Sequence, residues 1–188
     1  MEINYVDNLS ILKSNRPVAE VIIANDKVQL SIEGINNIFS INQFKGKNKG
    51  LDNNFKKLFG FSCPEVSKFN FNEDFIALWV RSNSYFVIGK NIQSDELTYN
   101  FQSKASITNQ TGGWMILNIE GKECLSLFEK LLTVNLEDFD QGKVIRTIIV
   151  NINCFVLCRS KFNKYCILCP ISFYQSMRVR LEKLIKSA

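Results

Sequence analysis

Lys104–Asp140, KASITNQTGGWMILNIEGKECLSLFEKLLTVNLEDFD, changes its period twice, and the changes set the architecture. A polar strand leads to Gly112-Gly113, an apolar run Trp114, Met115, Ile116, Leu117 and Ile119 follows, and Gly121 closes it. Beyond Gly121, Cys124, Leu125, Leu127, Phe128, Leu131 and Leu132 recur at spacings of three and four, which places them on one helical face. The stretch predicts strand, glycine turn, strand, glycine turn and then an amphipathic helix laid on a sheet. It is a scaffold, with no acid, base or ligand cluster built in.

Downstream, Val144–Val150, Asn153–Cys158 and Lys164–Cys169 read as three strands, and a basic last helix starts near Ser172. Its predicted face is Phe173, Met177, Leu181 and Leu184; Arg178, Arg180, Lys183 and Lys186 make the exposed part basic, as suits a helix C-terminus. Upstream, FIALWVRSNSYFVIG over Phe75–Gly89 is a hairpin around a turn-rich tetrad. Ile76, Leu78 and Val80 point one way, and Ala77 and Trp79 the other. Apolar residues on both faces imply a strand covered on both sides or one that meets a partner. Val18–Ile23, Val28–Ile32 and Ile41–Phe44 read as further strands. Leu51, Phe55, Leu58 and Phe59 form a short helix stopped by Gly60.

The fold class is therefore α+β: two halves of mostly antiparallel sheet, with helices packed on one face. The expected divisions are a lead-in over 1–17, a first half over 18–95 and a second half over 96–188 with ferredoxin-like β-α-β elements. The polar Lys90–Ser103 stretch is the expected link.

Histidine is absent, which excludes a Ser-His or Cys-His pair, a His-linked flavin and a His-ligated metal. The net charge of +5 is spread along the chain and hints only weakly at an acidic partner, membrane or nucleic acid. No run approaches the roughly 18 apolar residues that span a bilayer. The N-terminus carries early acids and no apolar core, so the expected location is cytoplasmic.

Four features invite a chemical reading. Lys45-Gly46-Lys47-Asn48-Lys49-Gly50 is a glycine-flanked basic loop, but it lacks phosphate-loop spacing and reads as solvated. Cys154, Cys158, Cys166 and Cys169 lie in strands, where Cys166 and Cys169 must face opposite ways; core thiols are favoured over metal ligands. Asn135, Glu137, Asp138 and Asp140 form a weak candidate cation cluster without calcium-loop order. Trp79, Tyr85, Phe86 and Trp114 are aromatics expected to fill a core or an interface, or to stack on a flat ligand such as a pterin or flavin.

From Ile41 to Leu184 the order of motifs resembles the gamma subunit of heterotetrameric sarcosine oxidase, within the group that has the glycine-cleavage T-protein fold, a folate-binding-domain-like architecture. The resemblance rests on LFGFSCP closing on Pro64, on Ala77-Leu78-Trp79-Val80 through Tyr85-Phe86, and on Asn109-Gln110-Thr111 before Leu117–Gly121. It continues through Val134-Asn135-Leu136, Phe139, Gly142 and Thr147 to Ile171-Ser172-Phe173. The family's Gly-Pro hairpin turn is missing, and Asn109 and Asn135 stand where acids are usual.

The resemblance implies a non-catalytic gamma subunit that supports oxidative demethylation of sarcosine to glycine, with one-carbon transfer to tetrahydrofolate. It implies alpha and beta subunits as partners that hold FAD, FMN, NAD, zinc and tetrahydrofolate, with no cofactor on this chain. Trp79, Tyr85, Phe86 and Trp114 would then be interface residues, and neither nucleic acid nor membrane is expected as a partner. The alternative is a stand-alone folate-binding aminomethyltransferase-like protein, with Trp79 or Trp114 near the pterin.

Overall fold

The computed structural model describes residues 19–34, 37–46 and 50–187. The expected lead-in over 1–17, and Lys47–Lys49 of the basic loop, lie outside the described residues.

Eleven strands and four α-helices are described. In chain order they are β1 (Glu20–Ala24), β2 (Val28–Ile32), β3 (Asn37–Gln43), α1 (Leu51–Phe59), β4 (Phe69–Phe71), β5 (Phe75–Arg81), β6 (Ser84–Gly89) and α2 (Ser94–Phe101), followed by β7 (Ala105–Asn109), β8 (Trp114–Gly121), α3 (Cys124–Glu129), β9 (Val144–Ile149), β10 (Ile152–Ser160), β11 (Lys164–Pro170) and α4 (Tyr174–Lys186). One sheet has the order β1-β2-β8-β11-β10-β9 and the other β4-β5-β6-β3-β7. Every pairing is antiparallel.

The apolar runs have two faces to fill. On β8, Met115, Leu117 and Ile119 point to a core shared with α3 and α4, whereas Trp114 and Ile116 point to a core between the two sheets. On β10, Cys154, Val156 and Cys158 face the helices, and Phe155 and Leu157 face the other sheet. On β5 and β6, Ile76, Leu78, Phe86 and Ile88 face the sheet-to-sheet core; Ala77, Val87 and half-buried Tyr85 face α1 and α2. The result is four layers, helix, sheet, sheet, helix. Each sheet carries helices on one face and its neighbour on the other, so alternating side chains are apolar on both sides.

The sheets do not follow the expected dividing line at residue 95. β1 and β2 join the sheet built mostly from the later chain, and β7 joins the earlier one. The chain crosses between sheets at Gly112-Gly113. A second seam runs where the segment before β4 meets the start of β9: Val144 N–H donates to the Ser67 carbonyl, and Phe69 N–H to the Gly142 carbonyl, both at 2.8 Å.

Several local expectations shift. α2 occupies the supposed link; Leu97 and Phe101 dock it, a four-residue spacing too sparse to announce a helix. β4, three residues long, was not legible either. α3 stops at Glu129, and Leu132 reaches the core from the tight turn that follows. The buried face of α4 is Met177, Leu181 and Ile185, while Phe173 is exposed.

Candidate functional site

The four expected interface aromatics separate into two places. Trp79 and Tyr85 are cross-strand partners on β5 and β6, half-buried on the helix side, where the Tyr85 ring meets Phe55 edge-on at 5.5 Å. Phe86 is buried between the sheets. It meets half-buried Trp114 at 5.5 Å and Phe155 at 5.9 Å, and Trp114 meets Phe155 at 5.5 Å. Such tilted and edge-on contacts are favourable beyond simple burial. This trio clamps the two sheets, so Phe86 offers no ring face to a partner.

Five of the six cysteines are buried, and all six are free thiols. Cys154, Cys158 and Cys169 face the helices, and Cys166 faces the opposite sheet, so the expected four do not converge. Burial pushes Cys154 and Cys169 up to about 12 and Cys158 to about 11.

The acidic cluster is used locally. The Asn135 carboxamide oxygen accepts from Glu137 N–H at 3.1 Å, and its nitrogen donates to Asp138 at 3.0 Å. Asp140 pairs with Lys161 at 2.7 Å and Lys143 at 3.5 Å. The Lys161 ammonium, first, holds the Asp140 carboxyl below its usual range. Caps and ion pairs account for these groups, and they do not surround a common point.

The outer side of α4 presents a continuous solvent-facing set. Arg178 is tied to Glu182 at 2.7 Å and to Glu20 at 3.4 Å, which pins the helix beside β1. Phe173, Val179, Arg180, Lys183 and Lys186 are exposed.

Charged side chains that do converge were not singled out from the sequence. Glu33, Glu73, Asp74, Lys90 and Arg159 line a cavity of about 340 Å³ at one end of the sandwich. They come from the ends of β2, β6 and β10 and from the β4–β5 turn. No local spacing could have joined residues so far apart.

With the architecture established, solved structures place the fold. One chain of heterotetrameric sarcosine oxidase from Corynebacterium sp. U-96, solved with pyrrole 2-carboxylate, matches with a TM-score of 0.76 at 16% identity. The match covers 88% of this chain and 87% of that one. The chain has the fold of a sarcosine oxidase chain. The glycine cleavage system aminomethyltransferase T from Bartonella henselae also matches, with a TM-score of 0.58 at 11% identity over 84% of this chain. Only 46% of that aminomethyltransferase is covered, so the present chain corresponds to less than half of it. The α+β, T-protein-like class expected from the sequence is thus the observed one. No family model matches the chain, and no curated protein matches it. No helix among the described residues is long and apolar enough to cross a membrane.

Proposed function

We propose that this protein is a non-catalytic, gamma-type subunit of a heterotetrameric sarcosine oxidase. In this reading it supports oxidative demethylation of sarcosine to glycine and transfer of the one-carbon unit to tetrahydrofolate. The observation that carries it is the end-to-end match: 88% of this chain on 87% of a chain from such an assembly.

The partners are alpha and beta subunits, which carry FAD, FMN, NAD, zinc and tetrahydrofolate; this chain contributes surface and no reacting group. The exposed side of α4 and half-buried Trp79, Tyr85 and Trp114 supply the contact, while Phe86 acts from within by holding the sheets together. An interface of apolar anchors within a charged rim is the expected anatomy.

The test is omission and substitution in the reconstituted assembly. Leaving this chain out is expected to abolish or destabilise sarcosine-dependent flavin reduction, and Asp140→Asn or Glu137→Gln is expected to leave the rate unchanged. An assembly fully active without this chain would overturn the reading.

A further inference from the structure

One sheet edge is left open in a way the others are not. Among the described strands, β1 and β9 end one sheet, and β4 and β7 end the other. Native edges are blunted by charge, proline, a bulge, short length or a cover. β1 has a bulge between Val21 and Ile23, and its Glu20 is tied to Arg178. β4 has three residues, and its Phe69 N–H donates to the Gly142 carbonyl. β9 carries Arg146, and its Val144 N–H donates to the Ser67 carbonyl. β7, Ala105-Ser106-Ile107-Thr108-Asn109, has neither charge nor proline and runs against β3 without a register shift. Lys104, just before it, is turned toward the start of α1. Its Nζ donates to the Asn54 side-chain oxygen at 2.9 Å and to the Gly50 carbonyl at 3.3 Å.

The hydrogen-bond parity fixes which groups of β7 are open. Phe44 N–H donates to the Lys104 carbonyl and Gln110 N–H to the Ile38 carbonyl, each at 2.8 Å, so the even-numbered residues bond to β3. The backbone groups of Ala105, Ile107 and Asn109 therefore point away from the sheet, and no backbone bond to them is present among the described residues. This set is symmetric about Ile107. Through a two-fold axis there, Ile107 faces Ile107 of a second copy and Ala105 faces its Asn109, each pair exchanging both hydrogen bonds. Ser106 then lies opposite Thr108 of the second copy; both are exposed, and hydroxyl pairs of this kind are favourable across strands. No charge of the strand meets a like charge. Asn100 turns one flank of α2 to Lys57 of α1, at 3.4 Å, which leaves small, exposed Ser94 and Thr98 on the flank above the open edge.

We propose that β7 is a self-association edge: two copies pair their β7 strands antiparallel about Ile107 and join their five-stranded sheets into one. Five residues a side bury less than the roughly 1,200–2,000 Å² of a stable interface, so the dimer is transient, with a dissociation constant of about 0.1–1 mM. The inference does not depend on the subunit reading, and either can fail alone.

The test is sedimentation equilibrium on the full chain from about 10 μM to about 1 mM. The mass is expected to rise from 21.6 kDa toward twice that value. Ser106→Lys with Thr108→Lys sets like charges opposite one another only in the paired state, and is expected to weaken association at least about tenfold. Ser106→Lys with Thr108→Glu sets opposite charges there and is expected to restore association, more strongly at low salt. On the unaltered chain, the outward Ile107 amide is expected to gain hydrogen-exchange protection as concentration rises. A chain that stays monomeric at about 1 mM would overturn the proposal. So would undiminished association after the first pair of substitutions, which would assign the contact to another surface, or no recovery with the second pair. Exchange at Ile107 that is independent of concentration would overturn it whether or not the variants fold.

Discussion

Of the glycines, Gly121 is the one a side chain would crowd most. Its φ is +139°, and a Cβ built there would stand 2.1 Å from the Lys27 carbonyl oxygen and 2.8 Å from the Val28 Cα. Both obstacles are backbone, so no side-chain rotation relieves them. Gly121→Ala is expected to cost more than about 3 kcal/mol, seen as a melting temperature lower by roughly 6–12 °C. A shift below two degrees would mean that the β2–β8 pairing is not fixed there. The sequence marked Gly121 as a strand end, but its necessity comes from Lys27, ninety-odd residues earlier, and was not legible. Gly112, equally prominent in the sequence, has open space around a Cβ and no such demand. The cysteines were legible, because alternation along β10 and β11 fixes their faces. With Cys154 and Cys169 pushed up to about 12, their thiolate fraction at pH 8 is on the order of 10⁻⁴. Thiol reagents are expected to leave these two untouched in the native chain and to label all six cysteines in denaturant. Rapid native labelling at either would show that the helix layer opens.

At the scale of elements, α1 shows how a short helix is held at both ends. Gly60, at φ +79°, turns the chain, and its N–H donates to the Lys56 carbonyl. Asp52 in the first turn accepts from Cys63 N–H at 2.8 Å and pairs with Lys56 at 2.8 Å. Lys56 first and the Cys63 N–H next lower the Asp52 carboxyl from its ordinary value of 3.8. The folded chain therefore holds this carboxylate ionised more firmly than the unfolded chain does. Its stabilisation is complete above the ordinary value and is lost as pH falls through the lowered one. Asp52→Asn is expected to flatten the acid limb of a stability-versus-pH curve below about pH 4 and to change little at pH 7 beyond the weakened contacts. An identical acid limb in the variant would assign that loss to other carboxylates. The helix itself was legible from Leu51, Phe55 and Phe59. α2 was not, because Leu97 and Phe101 are its only buried residues and the rest of the segment is polar.

At the scale of the molecule, stability depends on two sheets that share one core. Phe155 meets Phe86 and Trp114 across that core, and Arg146 lies 5.9 Å from its ring. Phe155→Ala is expected to cost about 3–5 kcal/mol, the usual range for an aromatic lost from a core. A loss under 1 kcal/mol in a denaturant titration would mean that the sheets are held mainly by their seams. Strands buried on both faces announced themselves as continuous apolar runs, which made the α+β class readable. The exchange of strands between halves was not, since it rests on pairings such as Val28 with Gly121 and Phe39 with Asn109 that local pattern does not encode. The cavity was hidden for the same reason: Glu33, just beyond β2, and Arg159, in β10, are brought to one cavity only by long-range strand pairing.

The subunit reading is tested most directly by native mass and visible absorbance, measured on material recovered when this chain, tagged, is co-expressed with candidate large flavoprotein subunits. A yellow assembly that contains the chain in fixed proportion to flavin is the predicted result. A colourless 21.6 kDa species, with the flavoprotein subunits assembling separately, would contradict it.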